Sequence, residues 1–179
     1  MVSRRLLCLF YASGTMPHME TLTTRTLADV EDFARKCMGS FVRGNAATVI
    51  ALTGDLGVGK TTFVQACART LGLTAIVTSP TFVVMKRYEL RDARFSTLIH
   101  IDAYRIEDEQ ELEVLKLRES LTHSENIIMI EWAERIPNFI PSPTLHIAMT
   151  LNTDGSREIR YGTYATYATH SAHDTYDKK

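Results

Sequence analysis

Short apolar runs alternate along the chain with longer segments in which apolar residues recur every three or four positions. Three of the runs contain almost no charged residue, which is typical of strands buried on both faces of a sheet. These runs are residues 47–53, 97–101 and 127–130. Because strands of this kind alternate with helical segments, the pattern predicts an α/β fold whose sheet has a parallel core.

Three further segments have the apolar spacing of helices. Thr26 or Asp29 is placed to cap the first of them, and Gly72 follows the second as a helix-ending glycine. The third is rich in acidic residues. The three predicted helices are residues 27–38, 61–71 and 107–121.

Four more strands are expected. Two lie on either side of the Ser-Pro-Thr sequence at residues 79–81, and two form a hairpin across Asp154-Gly155. The predicted strands are residues 75–78, 82–88, 145–151 and 157–161.

The length, net charge and cysteine content of the chain limit the compartments and partners that suit it. Its 179 residues suit one domain with a sizeable core. The formal net charge of −1 gives no overall attraction to nucleic acid or to anionic membranes. Cys8, Cys37 and Cys67 are an odd number of cysteines without a C-x-x-C pair, which fits a reducing compartment. We therefore expect a cytoplasmic protein that does not bind membranes.

The domain is expected to cover residues 20–161. Residues 1–19 contain two arginines and a short apolar run, which is far too short to cross a bilayer. They are expected to be a disordered leader or to precede the true start codon. The polar, locally repetitive residues 162–179 are expected to form a disordered tail.

The strongest chemical motif directly follows the first apolar run. Residues 54–61 have the sequence G-D-L-G-V-G-K-T, which satisfies the complete P-loop pattern. Glycines let successive backbone N–H groups turn toward phosphates, and the next helix presents its positive end to them. Lys60 supplies a positive charge for the β- and γ-phosphates, and the Thr61 hydroxyl supplies a ligand for magnesium. The motif predicts binding of ATP with Mg²⁺.

Two acidic residues are candidates for the partner carboxylate that such a loop requires. Asp102 and Glu131 each follow an apolar strand, and both would emerge at the carboxyl edge of a parallel sheet, where ligands bind in open α/β folds. The residues predicted to carry catalysis are therefore Lys60, Asp102 and Glu131. His100 is expected to be a strand residue with its hydrogen bonds satisfied rather than a ligand, and Trp132 is compatible with either the core or a partner surface.

Four segments together resemble the TsaE (YjeE) family of ATPases. They are GDLGVGKTTF at residues 54–63, SPTF at 79–82, HIDAYR at 100–105 and IEWAER at 130–135. The resemblance covers about residues 20–160. It implies a single P-loop NTPase-type domain with a mixed, mostly parallel sheet flanked by helices, and a weak ATPase activity. It also implies a complex with TsaB and TsaD, in which TsaD transfers a threonylcarbamoyl group to N6 of an adenosine in tRNA, so that contact with tRNA is indirect.

The resemblance also implies roles for individual residues. Thr61 and Glu131 would bind magnesium, Asp102 would lie near the water or the metal, and Thr81 would belong to a loop that senses the nucleotide. Glu134 and residues 23–26 would lie close to the nucleotide. The full set of expected nucleotide-binding residues is Gly54, Asp55, Leu56, Gly57, Val58, Gly59, Lys60, Thr61, Thr62, Thr81 and Glu134.

Two other functions remain open from the sequence. A small-molecule P-loop kinase would need an arginine-bearing lid, a role for which Arg87, Arg91 and Arg94 are available, although no lid helix pair is evident. A non-catalytic module would bind ATP only as a conformational effector. A GTPase is disfavoured because the guanine-reading N-K-x-D motif does not occur.

Overall fold

The computed structural model describes residues 19–108 and 110–164. Most of the predicted leader, and the predicted tail beyond residue 164, lie outside the described residues. The strands are β1 (Glu20–Thr24), β2 (Thr48–Thr53), β3 (Met85–Glu89), β4 (Thr97–Asp102), β5 (Asn126–Glu131), β6 (Thr144–Leu151) and β7 (Arg157–Tyr164). The helices are α1 (Leu27–Ser40), α2 (Lys60–Thr70), α3 (Gln110–Val114) and α4 (Leu117–Thr122).

The seven strands form one mixed sheet in the order β1-β7-β6-β2-β5-β4-β3. The four central strands β6, β2, β5 and β4 are mutually parallel, and β3, β7 and β1 pair in antiparallel fashion at the two margins. The three apolar runs of the sequence are the central strands β2, β4 and β5. This confirms the predicted fold class, because only strands covered on both faces need to be apolar throughout.

Helices α1 and α2 cover one face of the sheet. The helix α1 begins at Thr26, whose hydroxyl accepts a hydrogen bond from the Asp29 N–H, while the Asp29 carboxylate accepts one from the Thr26 N–H. This capping box satisfies two backbone donors that a helix start would otherwise leave unpaired. Phe33 of α1 packs against Phe63 of α2, with ring centroids 5.3 Å apart, over Ile50 and Met129 of the sheet.

The opposite face is covered by short elements rather than by one long helix. The predicted helix over residues 107–121 is wrong as a continuous helix, because the chain breaks between α3 and α4 at Lys116, which has a φ of 55°. The break lets both Leu112 and Leu117 bury completely against Ile99 and Ile128. The free energy gained by burying these leucines exceeds the loss from interrupting the helix.

Two strand predictions also need correction. Residues 75–78 are not a strand, because the Val77 carbonyl accepts a hydrogen bond from the Gln65 side chain of α2 rather than from a neighbouring strand. The strand β3 starts at Met85 instead of residue 82, since the N–H groups of Val83 and Val84 both turn back to the Pro80 carbonyl.

The antiparallel margin differs from the sequence prediction in two further respects. The strand β1, which the sequence analysis did not predict, pairs with β7 from Glu20 to Thr24. The strand β7 extends to Tyr164, three residues into the predicted tail, because β6 continues to pair with it. Among the residues described, no helix combines the length and apolar character that crossing a membrane requires.

Candidate functional site

The glycine-rich loop connects β2 to α2 at the carboxyl edge of the parallel strands. Gly54, Gly57 and Gly59 have φ values of 125°, 78° and 119°, which residues with a Cβ rarely adopt. A Cβ on Gly54 would also lie 2.2 Å from the Met149 carbonyl oxygen of β6. The backbone conformation therefore favours glycine at all three positions, and the close approach of β6 also requires it at Gly54.

Lys60 begins α2 and bends back over this loop. Its ammonium donates hydrogen bonds to the carbonyls of Gly54 at 2.6 Å and Asp55 at 2.9 Å, and it lies 3.9 Å from the centroid of the Trp132 ring. The side chain is only 4% exposed. Burial lowers the pKa of Lys60 below its usual value, whereas the nearby carboxylates of Glu131 and Glu134 act in the opposite direction. The ammonium of Lys60 is thus held next to the loop, although burial removes water from it and disfavours the charged form.

Thr61 and Glu131 meet directly in front of the loop. The Thr61 hydroxyl lies 2.8 Å and 2.9 Å from the two carboxylate oxygens of Glu131. A hydroxyl and a carboxylate are the kind of oxygen donors that Mg²⁺ accepts. No group of three His, Cys, Asp or Glu residues within the described part of the chain is arranged to hold a metal. A magnesium ion at Thr61 and Glu131 would therefore take its other ligands from phosphate and water, as is usual for this ion.

Asp102 ends β4 beside Glu131, its register partner in β5. One Asp102 carboxylate oxygen accepts hydrogen bonds from Ser79 Oγ at 2.7 Å and Thr81 Oγ1 at 2.5 Å, and the other accepts one from the Tyr104 N–H. The structure thus brings the predicted Ser-Pro-Thr loop to the predicted acid. Asp102 and Glu131 are each 3% exposed.

The segment after β5 completes this edge. Trp132 has a φ of 59°, which is unusual for a bulky residue and turns the chain sharply after Glu131. Its ring lies against Tyr104, with centroids 5.1 Å apart. Glu134 follows in a single 3-10 turn, Ala133–Arg135, near enough to influence Lys60.

A pocket opens on the other side of the loop. Residues 24–26, part of the segment that the resemblance predicts to lie near the nucleotide, line this pocket. Arg157 of β7 was missed by the sequence analysis: its Nε donates to the Val58 carbonyl at 2.8 Å, and its side chain lines the pocket beside Gly59 and Thr62. The two partners are 99 positions apart in the chain, so no local pattern could have indicated the contact.

Two of the three arginines considered for a kinase lid, Arg87 and Arg94, have partners elsewhere. Arg87 donates to the Ser120 hydroxyl, and Arg94 binds Asp92 and the carbonyls of Met38 and Phe41 at the end of α1. These contacts join β3 to α4 and the loop before β4 to the end of α1.

Comparison with known proteins identifies a matching family. The family model described as "Threonylcarbamoyl adenosine biosynthesis protein TsaE" matches residues 24–159. The tRNA threonylcarbamoyladenosine biosynthesis protein TsaE of Bacillus subtilis is 38% identical over 144 residues, covering 80% of this chain and 86% of that protein. The protein of the same name from a Nostoc species is 39% identical over 118 residues, covering 63% of this chain and 68% of that one.

A solved structure gives the same result. The crystal structure of YdiB from Bacillus subtilis superposes with a TM-score of 0.67 and 28% sequence identity, over 84% of this chain and 88% of that chain. Since the family model covers most of the chain and the relatives match at this level, the chain belongs to the TsaE family of tRNA threonylcarbamoyladenosine biosynthesis proteins.

Proposed function

We propose that this protein is a magnesium-dependent ATPase that acts with TsaB and TsaD homologues in threonylcarbamoyladenosine modification of tRNA. The observation that carries the proposal is the junction of Lys60, Thr61 and Glu131 at the mouth of the glycine-rich loop. The buried ammonium of Lys60 lies within hydrogen-bond distance of the loop, and the Thr61 hydroxyl lies within hydrogen-bond distance of the Glu131 carboxylate.

The loop and the start of α2 bind the phosphates. The backbone N–H groups of the loop and the N-terminus of α2 face the anionic ligand, where the helix dipole favours negative charge. The Lys60 ammonium exchanges the carbonyls of Gly54 and Asp55 for phosphate oxygens. The exchange replaces two neutral carbonyl partners of this buried cation with negatively charged phosphate oxygens, which form stronger hydrogen bonds with it.

Thr61 and Glu131 hold the metal side of the nucleotide. The Thr61 hydroxyl, which now donates to Glu131, would offer its oxygen lone pair to the ion, and the carboxylate would supply negative charge. When bound there, the ion would supply the positive charge that neutralises the β- and γ-phosphates during attack by water. Asp102 anchors the Ser79 and Thr81 hydroxyls next to that position, so that this loop can respond to the presence of the terminal phosphate.

The nucleoside fits on the opposite side of the loop. The pocket there is polar at Thr24, Thr26 and Arg157 and apolar at Leu27 and Ile159. Thr62 and Gly59 connect it to the phosphate-binding side. Arg157 is fixed by its hydrogen bond to the Val58 carbonyl, and it places a positive charge close to the first phosphates of a bound nucleotide.

Exposed apolar side chains near the catalytic edge support the assignment to a protein complex. Phe82 is 84% exposed and Leu56 is 79% exposed, and Tyr104 is partly exposed beside Trp132. Large apolar side chains grouped around a polar site are typical of protein interaction surfaces. They fit a protein that completes its active site against a partner.

The test is an ATPase assay in four mixtures. The purified protein is incubated with ATP and Mg²⁺ alone, with the TsaB–TsaD pair, with that pair plus threonylcarbamoyl-adenylate, and with all of these plus tRNA. We expect slow hydrolysis alone and faster hydrolysis with the partners. Lys60→Ala and Glu131→Ala serve as inactive controls and should abolish repeated turnover of tRNA modification.

Other outcomes identify the alternatives. Transfer of phosphate to a metabolite, without any effect of the partners, would replace the proposal by a small-molecule kinase. Tight ATP binding without hydrolysis in every mixture would indicate a module that uses ATP only as an effector.

A further inference from the structure

His100 is a fully buried polar residue in the middle of the sheet that the roles above leave unexplained. It lies on β4 two residues before Asp102, where it pairs with Met129 of β5. Its side chain is 0% exposed, and its Nε2 lies 2.8 Å from Oε1 of Glu131. Its Nδ1 is buried and has no hydrogen-bond partner among the described residues.

The chemistry of the contact determines which nitrogen carries the proton. An ionised carboxylate only accepts hydrogen bonds, so the Nε2 atom of His100 must donate to Glu131. A buried polar atom without a partner is costly, and its occurrence calls for a functional explanation.

Glu131 accepts hydrogen bonds from two donors that differ in their freedom to rotate. Oε1 receives both His100 Nε2 and the Thr61 hydroxyl, whereas Oε2 receives the Thr61 hydroxyl alone. The hydroxyl rotates freely about its bond, but the imidazole is fixed by complete burial in a strand. When the Thr61 hydroxyl turns to a cation, His100 is the donor that still fixes the plane of the carboxylate.

We propose that His100 is a positioning residue: its Nε2–H holds Oε1 of Glu131, so that the carboxylate keeps facing Thr61 in the orientation that binds Mg²⁺ with the nucleotide. The inference rests on the proposed function, since it concerns how the metal half of that site is preorganised. Partners that orient metal-binding side chains in this way contribute to metal affinity without touching the metal.

A pair of matched variants tests the role. His100→Gln places an amide N–H near the position of Nε2, whereas His100→Asn is too short to reach Glu131 and mimics only the Nδ1 side of the ring. The readout is nucleotide binding followed by the fluorescence of Trp132, the single tryptophan of the chain, which lies against Lys60. Each protein is titrated with ATP without magnesium, and then with Mg²⁺ at a fixed ATP concentration.

We expect His100→Asn to raise the Mg²⁺ concentration at half-saturation by about 10-fold to 100-fold, with ATP affinity in the absence of magnesium unchanged. His100→Gln should stay within about threefold of the wild type, because it restores the donor. Equal losses in both variants, or a loss of magnesium-free binding, would show that His100 is only structural and overturn the inference. A wild type that does not respond to Mg²⁺ overturns the proposed function and this inference with it, whereas an unaltered His100→Asn variant overturns the inference alone.

A second measurement needs no variant and therefore does not depend on folding of the substituted chain. The ¹⁵N chemical shifts of the His100 ring in the wild-type protein report which nitrogen carries the proton. We expect the tautomer protonated at Nε2. A ring protonated at Nδ1 alone would leave no donor for Glu131 and would contradict the inference.

Discussion

The helix α2 belongs to two regions that bury opposite kinds of groups. Along its length, Phe63, Val64 and Cys67 pack into the apolar cluster between the sheet and α1. In its first turn, Lys60 and Thr61 face the polar cluster with Glu131. The first region removes only apolar surface from water, whereas the second removes charged groups.

The two regions differ in the free energy of burying their side chains. Fully burying a large apolar side chain stabilises a fold by roughly 1.5–3 kcal/mol. Burying a charge costs free energy unless partners compensate, and a buried ion pair is weak evidence for stability. The apolar cluster therefore explains why the domain folds, and we expect the polar cluster to serve the binding of the ligand proposed above. Substitutions should separate the two regions: the first should affect unfolding, and the second ligand binding.

The largest expected effect is on the apolar side. Phe33 is 4% exposed, and its ring lies 5.3 Å from that of Phe63 and 4.9 Å from that of Tyr161. Phe33→Ala should lower the free energy of unfolding by about 3–5 kcal/mol, because it removes buried area and leaves a cavity. Urea unfolding measures this loss, and Phe33→Leu should cost less than about 1.5 kcal/mol. The folded variant should bind ATP as tightly as the wild type does. A loss of ATP binding would mean that the two regions are coupled.

Lys60→Met should show the reverse behaviour. Loss of the ammonium should weaken ATP binding by about 100-fold, or about 2.7 kcal/mol, comparable to removing a single electrostatic contact at an active site. Since burial already disfavours the charge, the free energy of unfolding should change by less than about 1 kcal/mol. Calorimetric titration and urea unfolding give the two numbers. Lys36→Met, on the exposed side of α1, is the matched control and should alter neither.

Asp102→Asn is expected to loosen one loop without unfolding the domain. An amide cannot accept both hydroxyl hydrogen bonds on one side and the Tyr104 N–H on the other, so at least one donor loses its partner. Hydrogen exchange in a peptide covering residues 79–84 should accelerate by about tenfold, equivalent to about 1.4 kcal/mol. A peptide from α1 serves as the internal reference and should be unaffected. Equal acceleration of both peptides would indicate a global rather than a local effect.

The smallest effect concerns pH and the apolar cluster. Burial raises the pKa of Cys37 from 9.0 to about 12. The unfolded thiol ionises first, so the protein is unaffected by this group at neutral pH and loses stability as pH rises above 9.0. Cys37 alone should contribute a loss of about 0.8 kcal/mol between about pH 8 and about pH 9.5. Urea unfolding under reducing conditions should show a shallower pH dependence for Cys37→Ala than for the wild type. Parallel curves would indicate that Cys37 is hydrated.

The sequence predicted the central part of the fold because the relevant signals are local. The apolar runs of β2, β4 and β5 identify strands covered on both faces, and the cap at Thr26 lies within one turn of the helix that it starts. The order of strand, glycine loop and helix, followed by acids at two strand ends, was sufficient to select the candidate residues. Their roles in binding and catalysis stay predictions that the experiments above address.

The incorrect predictions share a physical cause. The break at Lys116 and the loss of a strand at residues 75–78 both arise where tertiary packing outweighs local preference: buried leucines in the first case and a side-chain hydrogen bond from Gln65 in the second. The threonine-rich strand β1 has little apolar signal of its own. It exists because β7 offers an unpaired edge.

By itself, then, the sequence determined the family, the parallel core and most of the groups around the glycine-rich loop, since each of these signals lies in contiguous residues. The tertiary structure alone decided which of these groups touch. Thr61 and Glu131 are 70 positions apart, His100 and Glu131 are 31 apart, and Arg157 reaches Val58 across 99 positions. Such contacts depend on the order and register of strands in the sheet, and no periodicity along the chain encodes them.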